Sequence, residues 1–273
     1  MRTAAAELES LIRCGALDSL GETRATMLAS IEHVLELSKR MAEDKQSNQL
    51  SLFDFGLSAE SQRPEVELTR RPEYPARELL DMEREMLGFY ISGHPFDVYR
   101  PYVARKISHS ISAVFSAEEG QEITTAGMVR GVSRRFTKNG QPMANFVLED
   151  ESASLRCTLF PRQYERLRDH LAEGSAVVVR AKVKDNGGDP ELTVSELLPP
   201  CKLYLRLPSA SQTALLQQAR EVLAGSPGHI AVEAYYADKK EYVPFPGIAG
   251  VELDKKMIAT MCTLIGEKNV VAR

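Results

Sequence analysis

Between Ile123 and Leu197 apolar and polar residues alternate in short runs separated by turn residues, the period-two signature of half-buried strands. A first strand runs from Ile123 to Phe136. Lys138-Asn139-Gly140 follows as a hairpin turn, since Asn-Gly accepts the positive φ that tight turns need. Met143 to Leu148 is the second strand, Glu149-Asp150-Glu151 an acidic turn, and Leu155 to Phe160 the third strand. Pro161 then suits the first position of a short helix in which Tyr164, Leu167 and Leu171 recur at helical spacing, with Glu173-Gly174 as its stop. Val177 to Val179 with Val183 make a fourth strand, Asn186-Gly187-Gly188 a turn, and Leu192 to Leu197 a fifth strand.

Outside this stretch the period changes. Leu8, Leu11 and Ile12 mark the end of a helix, Gly15 to Gly21 a glycine-bracketed turn, and Thr23 the cap of a second helix with Met27, Ile31, Val34 and Met41 on one face. From Glu78 to Tyr90 a further helix turns Leu79, Met82, Met86, Leu87 and Tyr90 inward and Glu78, Asp81, Glu83 and Glu85 outward. Beyond Pro199-Pro200, Leu203, Leu205 and Leu207 alternate as a strand and Ser211 to Ala224 is helical. His229 to Tyr236 and Tyr242 onwards are two more strands; Asp254 caps a helix bearing Met257, Ile258, Met261, Leu264 and Ile265, Gly266 ends it, and Asn269 to Val271 closes as a strand.

Three strands, a helix and two strands is the order of an OB-fold barrel, a five-stranded platform for oligonucleotides or oligosaccharides; an unrelated small β-barrel shares the pattern. The β-α-β-β-α-β order of the tail suggests a ferredoxin-like domain. The fold class expected is α+β and multi-domain: a helical segment over 1–42, a mobile linker over 43–76, a helical connector over 77–120, the barrel over 121–200 and a small αβ domain over 201–273.

The linker is polar and punctuated by Pro64, Pro72 and Pro75, except for one island, Gln49-Leu50-Ser51-Leu52-Phe53 followed by Asp54 and Phe55. Apolar side chains in a hydrophilic tether have no core of their own to enter, and such islands dock into grooves on partners. The alternative is a loop that folds back onto its own protein.

Composition narrows the partners. The chain has 273 residues, is 43% hydrophobic and 26% charged, and contains no apolar run long enough to cross a bilayer and no leader pattern, so a cytoplasmic location without membrane contact is expected. Cys14, Cys157, Cys201 and Cys262 are too scattered for a zinc or disulfide framework. A formal net charge of −4 leaves room for nucleic acid only on a local basic face. Arg130, Arg134, Arg135 and Lys138 cluster on the first barrel strand and its turn, with Phe136 and Phe146 nearby and Arg156 on the third strand. Cations for phosphates beside rings for bases make a single-strand platform, and the same residues also fit the solvated face of an amphipathic strand. The barrel order favours binding.

Two motifs carry a resemblance. Gln49-Leu50-Ser51-Leu52-Phe53 resembles the segment by which bacterial replication proteins bind the sliding clamp. The resemblance implies Gln49 as polar anchor, Leu50 and Leu52 as aliphatic contacts and Phe53 as the aromatic plug. Glu-x-Glu-x-Leu-Gly-x-Tyr-x-Ser-Gly-His-Pro-x-Asp, from Glu83 to Asp97, resembles the segment preceding the OB domain of bacterial DNA polymerase III alpha subunits. The order of elements around it is similar as well, from a helix-hairpin-helix remnant to an αβ tail. An ordinary αα-hairpin fits the first two helices equally. The resemblance implies the non-catalytic carboxy-terminal part of such a subunit, with the clamp, single-stranded DNA and a clamp-loader subunit as partners. Met1 running straight into a helical pattern agrees with a piece of a longer chain.

Catalysis is not expected in this chain. The palm aspartates and metal-binding histidines of the resembled family have no counterpart, His33, His94, His109, His170 and His229 stand apart, and Glu149-Asp150-Glu151 lacks partners at two-metal spacing. Ser92, His94 and Asp97 lie too close in sequence to assemble a triad. No cofactor and no metal are expected. Two other readings stay open: a free-standing clamp-bound adaptor that binds single-stranded DNA, and an OB appendage that recognises tRNA.

Overall fold

A computed structural model describes residues 2–46, 67–185 and 187–273. Gln49, Leu50, Leu52 and Phe53 lie outside the described residues, as does Asn186 of the predicted turn. The chain divides into two units, Met1–Gly93 and His94–Arg273.

In the first unit α1 (Arg2–Arg13) and α2 (Arg24–Gln46) meet through Ile12, Met27 and Ile31, whereas Met41, expected on the same face, is exposed. The turn between them is closed on itself: the N–H groups of Gly15, Ala16, Asp18, Leu20 and Gly21 all donate to carbonyls from Leu11 to Asp18. A helix-hairpin-helix turn that holds phosphate needs such amides unbonded, and at these five positions they are not. Thr23 caps α2 as expected, accepting from the Thr26 N–H at 3.1 Å.

The described residues of the expected linker pack on or continue helix α2. Its first residues, up to Gln46, continue α2. Farther along, the backbone from Thr69 to Glu73 lies against that helix: the N–H groups of Thr69 and Arg71 donate to the hydroxyls of Ser30 and Thr26 at 3.0 and 2.9 Å, and the Glu73 carboxylate accepts from the Arg24 N–H at 2.8 Å. Buried hydroxyls on a helix face supply the partners that an extended backbone needs.

Helix α3 (Ala76–Leu87) corrects one expectation. Glu83, expected outward, is fully buried. Its Oε1 accepts from Arg24 Nη2 at 2.9 Å and from Ser92 Oγ at 2.6 Å, and its Oε2 from the Ile91 and Ser92 N–H groups at 2.9 Å each. Arg24 also pairs with Asp18 at 2.7 Å and donates to the Arg13 carbonyl. A buried carboxylate survives only when every lone pair is answered, and here the answers come from segments far apart in sequence.

The second unit opens with two short helices, α4 (Arg100–Val103) and α5 (Ile111–Val114). Five strands then close a barrel in the order β1-β2-β3-β5-β4: β1 (Glu122–Phe136), β2 (Pro142–Glu149), β3 (Ser154–Leu159), β4 (Ala176–Lys184) and β5 (Glu191–Leu198). The first half of β1 pairs with β4 and the second half with β2, while β3 runs parallel to β5. Helix α6 (Pro161–Leu167) lies between β3 and β4 and sends Tyr164 and Leu167 into the barrel core. On β4, Val177, Val179, Ala181 and Val183 point into the barrel, whereas Ala176 and Val178 join a second core.

That second core belongs to the tail. A four-stranded sheet, β10-β6-β8-β9, is built from β6 (Leu203–Leu207), β8 (Val232–Tyr236), β9 (Glu241–Pro244) and β10 (Val270–Ala272). Helices α7 (Thr213–Ala224) and α8 (Lys255–Ile265) pack on it. The stretch expected as one strand from His229 is broken, with β7 (Pro227–Ile230) separate from β8. With β7 outside the sheet, the remaining elements follow the β-α-β-β-α-β order, and β6 lies directly beside β8 and parallel to it, with no strand between them. Gly266, at φ +89, ends α8, and Asp254 stands at its start without a side-chain capping bond.

Candidate nucleic-acid interface

Strand β2 decides which side chains the barrel offers. Ala144, Phe146 and Leu148 are at most 2% exposed in the barrel core, and Met143, Asn145 and Val147 alternate with them on the outer face. Phe146, expected as a stacking ring, therefore belongs to the interior and has no face for a base. The alternation of Ala144, Phe146 and Leu148 in the sequence already carried that signal.

Cross-strand register arranges the outer face. Val147 sits between Arg130 on β1 and Arg156 on β3, and Arg156 sits beside Glu191 on β5. One step along, Asn145 lies between Ser133 and Thr158, and Thr158 lies beside Thr193. The Thr158 hydroxyl donates to Glu191 at 2.6 Å and lies 3.2 Å from Asn145 Oδ1. Met143, Asn145, Val147, Thr158 and Thr193 thus share the face with the expected cations. Being neither charged nor aromatic, they gave no signal in the sequence beyond their alternation with core residues. Arg156 is exposed there. Arg130 is half-buried and donates from Nε to Glu149 at 3.0 Å, so its charge is spent within the barrel wall.

Past Arg130 the β1–β2 ladder slips at a bulge, with Gly131 at φ +58, and resumes at Ser133. The N–H groups of Gly131 and Val132 donate instead to the Glu173 carboxylate, at 3.1 Å each. A bulge bends and twists its strand, and here it precedes the hairpin arm that carries the basic cluster. Register places Arg135 opposite Met143, and Arg134 and Phe136 alternate to the other side. The tip is the expected turn: the Thr137 N–H donates to the Gln141 carbonyl at 2.9 Å and Gly140 adopts φ +73. Arg134, Arg135 and Lys138 are exposed and Phe136 is 75% exposed. The structure therefore brings Arg134, Arg135, Phe136 and Lys138 together on one arm, adds Arg156 on the neighbouring face, and removes Phe146 from the set.

The other candidates are structural. Asp97 accepts from the His94 N–H at 2.8 Å and from Arg100 Nε at 2.9 Å, while His94 Nδ1 accepts from the Phe96 N–H. Burial pushes the His94 imidazole below its ordinary pKa, against the pull of Glu149 and Asp97. His94 and Asp97 thus shape a turn. In the acidic turn, Asp150 accepts from the Ser152 and Ala153 N–H groups and Glu151 pairs with Arg100 at 2.8 Å. Burial raises the Cys157 thiol, and raises that of Cys201 to about 11, which keeps both protonated and unreactive. Among the described residues no helix is long and apolar enough to cross a membrane.

Residues 123–200 match the family model of the OB-fold nucleic acid binding domain of tRNA-anticodon type. The chain is 36% identical over 204 residues to the DNA polymerase III subunit alpha of Saccharopolyspora erythraea, which covers 70% of this chain and 17% of that protein. It is 29% identical over 276 residues to that of Bacillus subtilis, covering 97% of this chain and 24% of that protein. The chain thus spans about a fifth of the length of these curated relatives. Among solved structures, the mitochondrial single-stranded DNA binding protein Rim1 of S. cerevisiae matches 30% of the chain at 14% identity with a TM-score of 0.26.

Proposed function

We propose, for a chain similar over most of its length to part of the bacterial DNA polymerase III alpha subunits, that it is the non-catalytic carboxy-terminal region of such a replicative polymerase and holds the enzyme to its template and its accessory proteins. The observation that carries this reading is the β1–β2 arm. Arg134, Arg135 and Lys138 are exposed there beside a phenylalanine ring that is 75% exposed and has no core to enter. An OB barrel binds strands across its β2–β3 face and the loops at its rim, which is where this arm and Arg156 stand. Cations hold phosphates without regard to sequence and exposed rings stack bases, as a template that is always changing requires. Nucleotidyl transfer belongs to the remainder of the longer relatives.

The clamp contact rests on sequence. Gln49, Leu50, Leu52 and Phe53 would engage the clamp's pocket, and the tail would meet a clamp-loader subunit. Several modest contacts on one chain raise one another's effective concentration, so none has to be tight.

Binding of a fluorescein-labelled oligo-dT, followed by anisotropy, tests the barrel. Replacing Arg134, Arg135 and Lys138 with alanine is expected to weaken binding at least tenfold at low salt. It should also flatten the plot of log K against log salt by roughly 0.7 for each phosphate that is no longer neutralised. A chain that binds no oligonucleotide at low salt removes the role. For the clamp, alanine at Gln49, Leu52 and Phe53 is expected to abolish pull-down of a bacterial sliding clamp, and undiminished capture sinks the motif. The tRNA-anticodon character of the matched family favours one further reading, recognition of a tRNA loop. Displacement of bound oligo-dT by tRNA at concentrations well below those that unlabelled oligo-dT requires would select it.

A further inference from the structure

The tail sheet has a second face. Leu203, Leu205, Leu207, Val232, Ala234 and Tyr236 point into the core with α7 and α8. The alternate positions carry Tyr204 and Arg206 on β6, Tyr235 on β8, Tyr242 on β9 and Val271 on β10. Register sets Tyr204 beside Val271 and Tyr235 between Arg206 and Tyr242. The rings form one cluster: Tyr235 and Tyr242 lie 4.8 Å apart between centroids, and Tyr204 meets Tyr242 edge-on at 5.8 Å. The Arg273 guanidinium lies 4.8 Å from the centre of the Tyr204 ring. Around them is a cavity of about 290 Å³ whose lining adds Arg206, Lys268 and Asn269. Tyr242 is 54% exposed and Val271 43%.

We propose that this face is a second site for single-stranded nucleic acid, with bases stacking on Tyr204, Tyr235 and Tyr242 and phosphates held by Arg206, Lys268 and Arg273. The chemistry is that of a sheet surface whose aromatic residues receive unpaired bases. Three tyrosines gathered on an open sheet face give planar apolar area with a wet hydroxyl end, which a structural core does not require. Charge agrees in sign. Glu233, which register places beside Tyr204, is paired with Lys202 at 2.7 Å, and the charged groups lining the cavity are the three cations. An acidic peptide would satisfy the cations and leave the rings without partners. The site stands on residues separate from the barrel arm and does not depend on it.

The test uses the whole chain with Arg134→Ala, Arg135→Ala, Phe136→Ala and Lys138→Ala, so that the barrel arm is silent. Residual affinity for labelled oligo-dT and oligo-rU is read by anisotropy at low salt. Adding Tyr204→Ala and Tyr242→Ala is expected to weaken it about tenfold or more, whereas Tyr204→Phe and Tyr242→Phe keep it. An oligonucleotide carrying 5-iododeoxyuridine is expected to photocrosslink to a tail peptide containing Tyr204, Tyr235 or Tyr242. If far-UV circular dichroism reveals that the alanine variants have unfolded, Arg206→Glu with Lys268→Glu is read instead and should cost at least as much. Binding of oligo-dT alone, oligo-rU alone or both supports the site and says which strand it takes. Absence of residual binding, residual binding indifferent to these changes, crosslinks confined to the barrel, or capture of poly-glutamate with neither oligonucleotide each overturns it.

Discussion

Glu83 is the clearest case of a single residue whose role depends on its surroundings. Burial works to raise its pKa and is outweighed by the Ser92 hydroxyl, the Ser92 and Ile91 N–H groups and Arg24, which together hold the carboxyl at about 2, below its ordinary 4.5. On the other side of the pair, Asp18 and Glu83 raise the Arg24 guanidinium although burial opposes them. A depressed folded-state pKa contributes stability that is complete above pH 4.5 and is lost as pH falls towards 2. Glu83→Gln removes the charge and leaves the buried Arg24 with Asp18 as its one remaining carboxylate partner, at a cost of about 3 kcal/mol. Urea unfolding followed by circular dichroism should therefore find the variant weaker at pH 7 and less steeply destabilised between pH 4.5 and 2 than the parent. An equal acid slope in both would refute this account. The Glu83–Asp97 resemblance thus acquires a physical reason within each unit: Glu83 receives Ser92, Gly88 takes φ +85 at the end of α3, and Asp97 closes the turn at His94.

At the scale of elements, the barrel was largely legible. Each of its five strands lies within two residues of where alternation put it, because period two and turn residues are local properties of the chain. The bulge at Gly131 was not. Two amides that leave the ladder are matched only because Glu173, from the loop before β4, comes alongside. Gly131 holds φ +58, where the Cβ of an alanine is strained by roughly 1–2 kcal/mol. Gly131→Ala is expected to lower the thermal midpoint and, by re-aiming the arm, to weaken oligonucleotide binding. A variant less stable yet equal in affinity would detach the bulge from the site. The docking of Thr69 and Arg71 on α2 was equally hidden, since a polar, proline-marked stretch reads as linker until buried hydroxyls are found beside it.

In the whole molecule, the expected boundary at residue 200 crosses a shared core. Ala126 and Met128 of β1 and Ala176 and Val178 of β4 pack in the same cluster as Leu203, Leu205, Leu223 and Met261 of the tail, with Phe96, Tyr99 and Val103 ahead of the barrel. Both faces of the barrel wall are therefore buried along this patch, one against the interior and one against the tail sheet. Met128→Ala, at a fully buried position, should cost roughly 2–5 kcal/mol. Barrel and tail within His94–Arg273 are expected to melt in one transition. Two separate transitions in calorimetry, only one of them shifted by the substitution, would contradict a common core.

What the amino-acid order settles alone is the kind and succession of the barrel's elements, the OB character of the middle stretch, the similarity to the polymerase alpha subunits and the cations on the first hairpin. All of these follow from properties shared by residues near one another in the chain. Tertiary structure alone decides that Phe136 stands in solvent while Phe146 fills the barrel, that Arg130 is consumed by Glu149, that Glu83 turns inward, and that tyrosines from three strands meet on one sheet face. Those outcomes depend on which distant segments pair, and the energy of a buried charge or ring is set by the neighbour that arrives, whose distance along the chain no local pattern encodes.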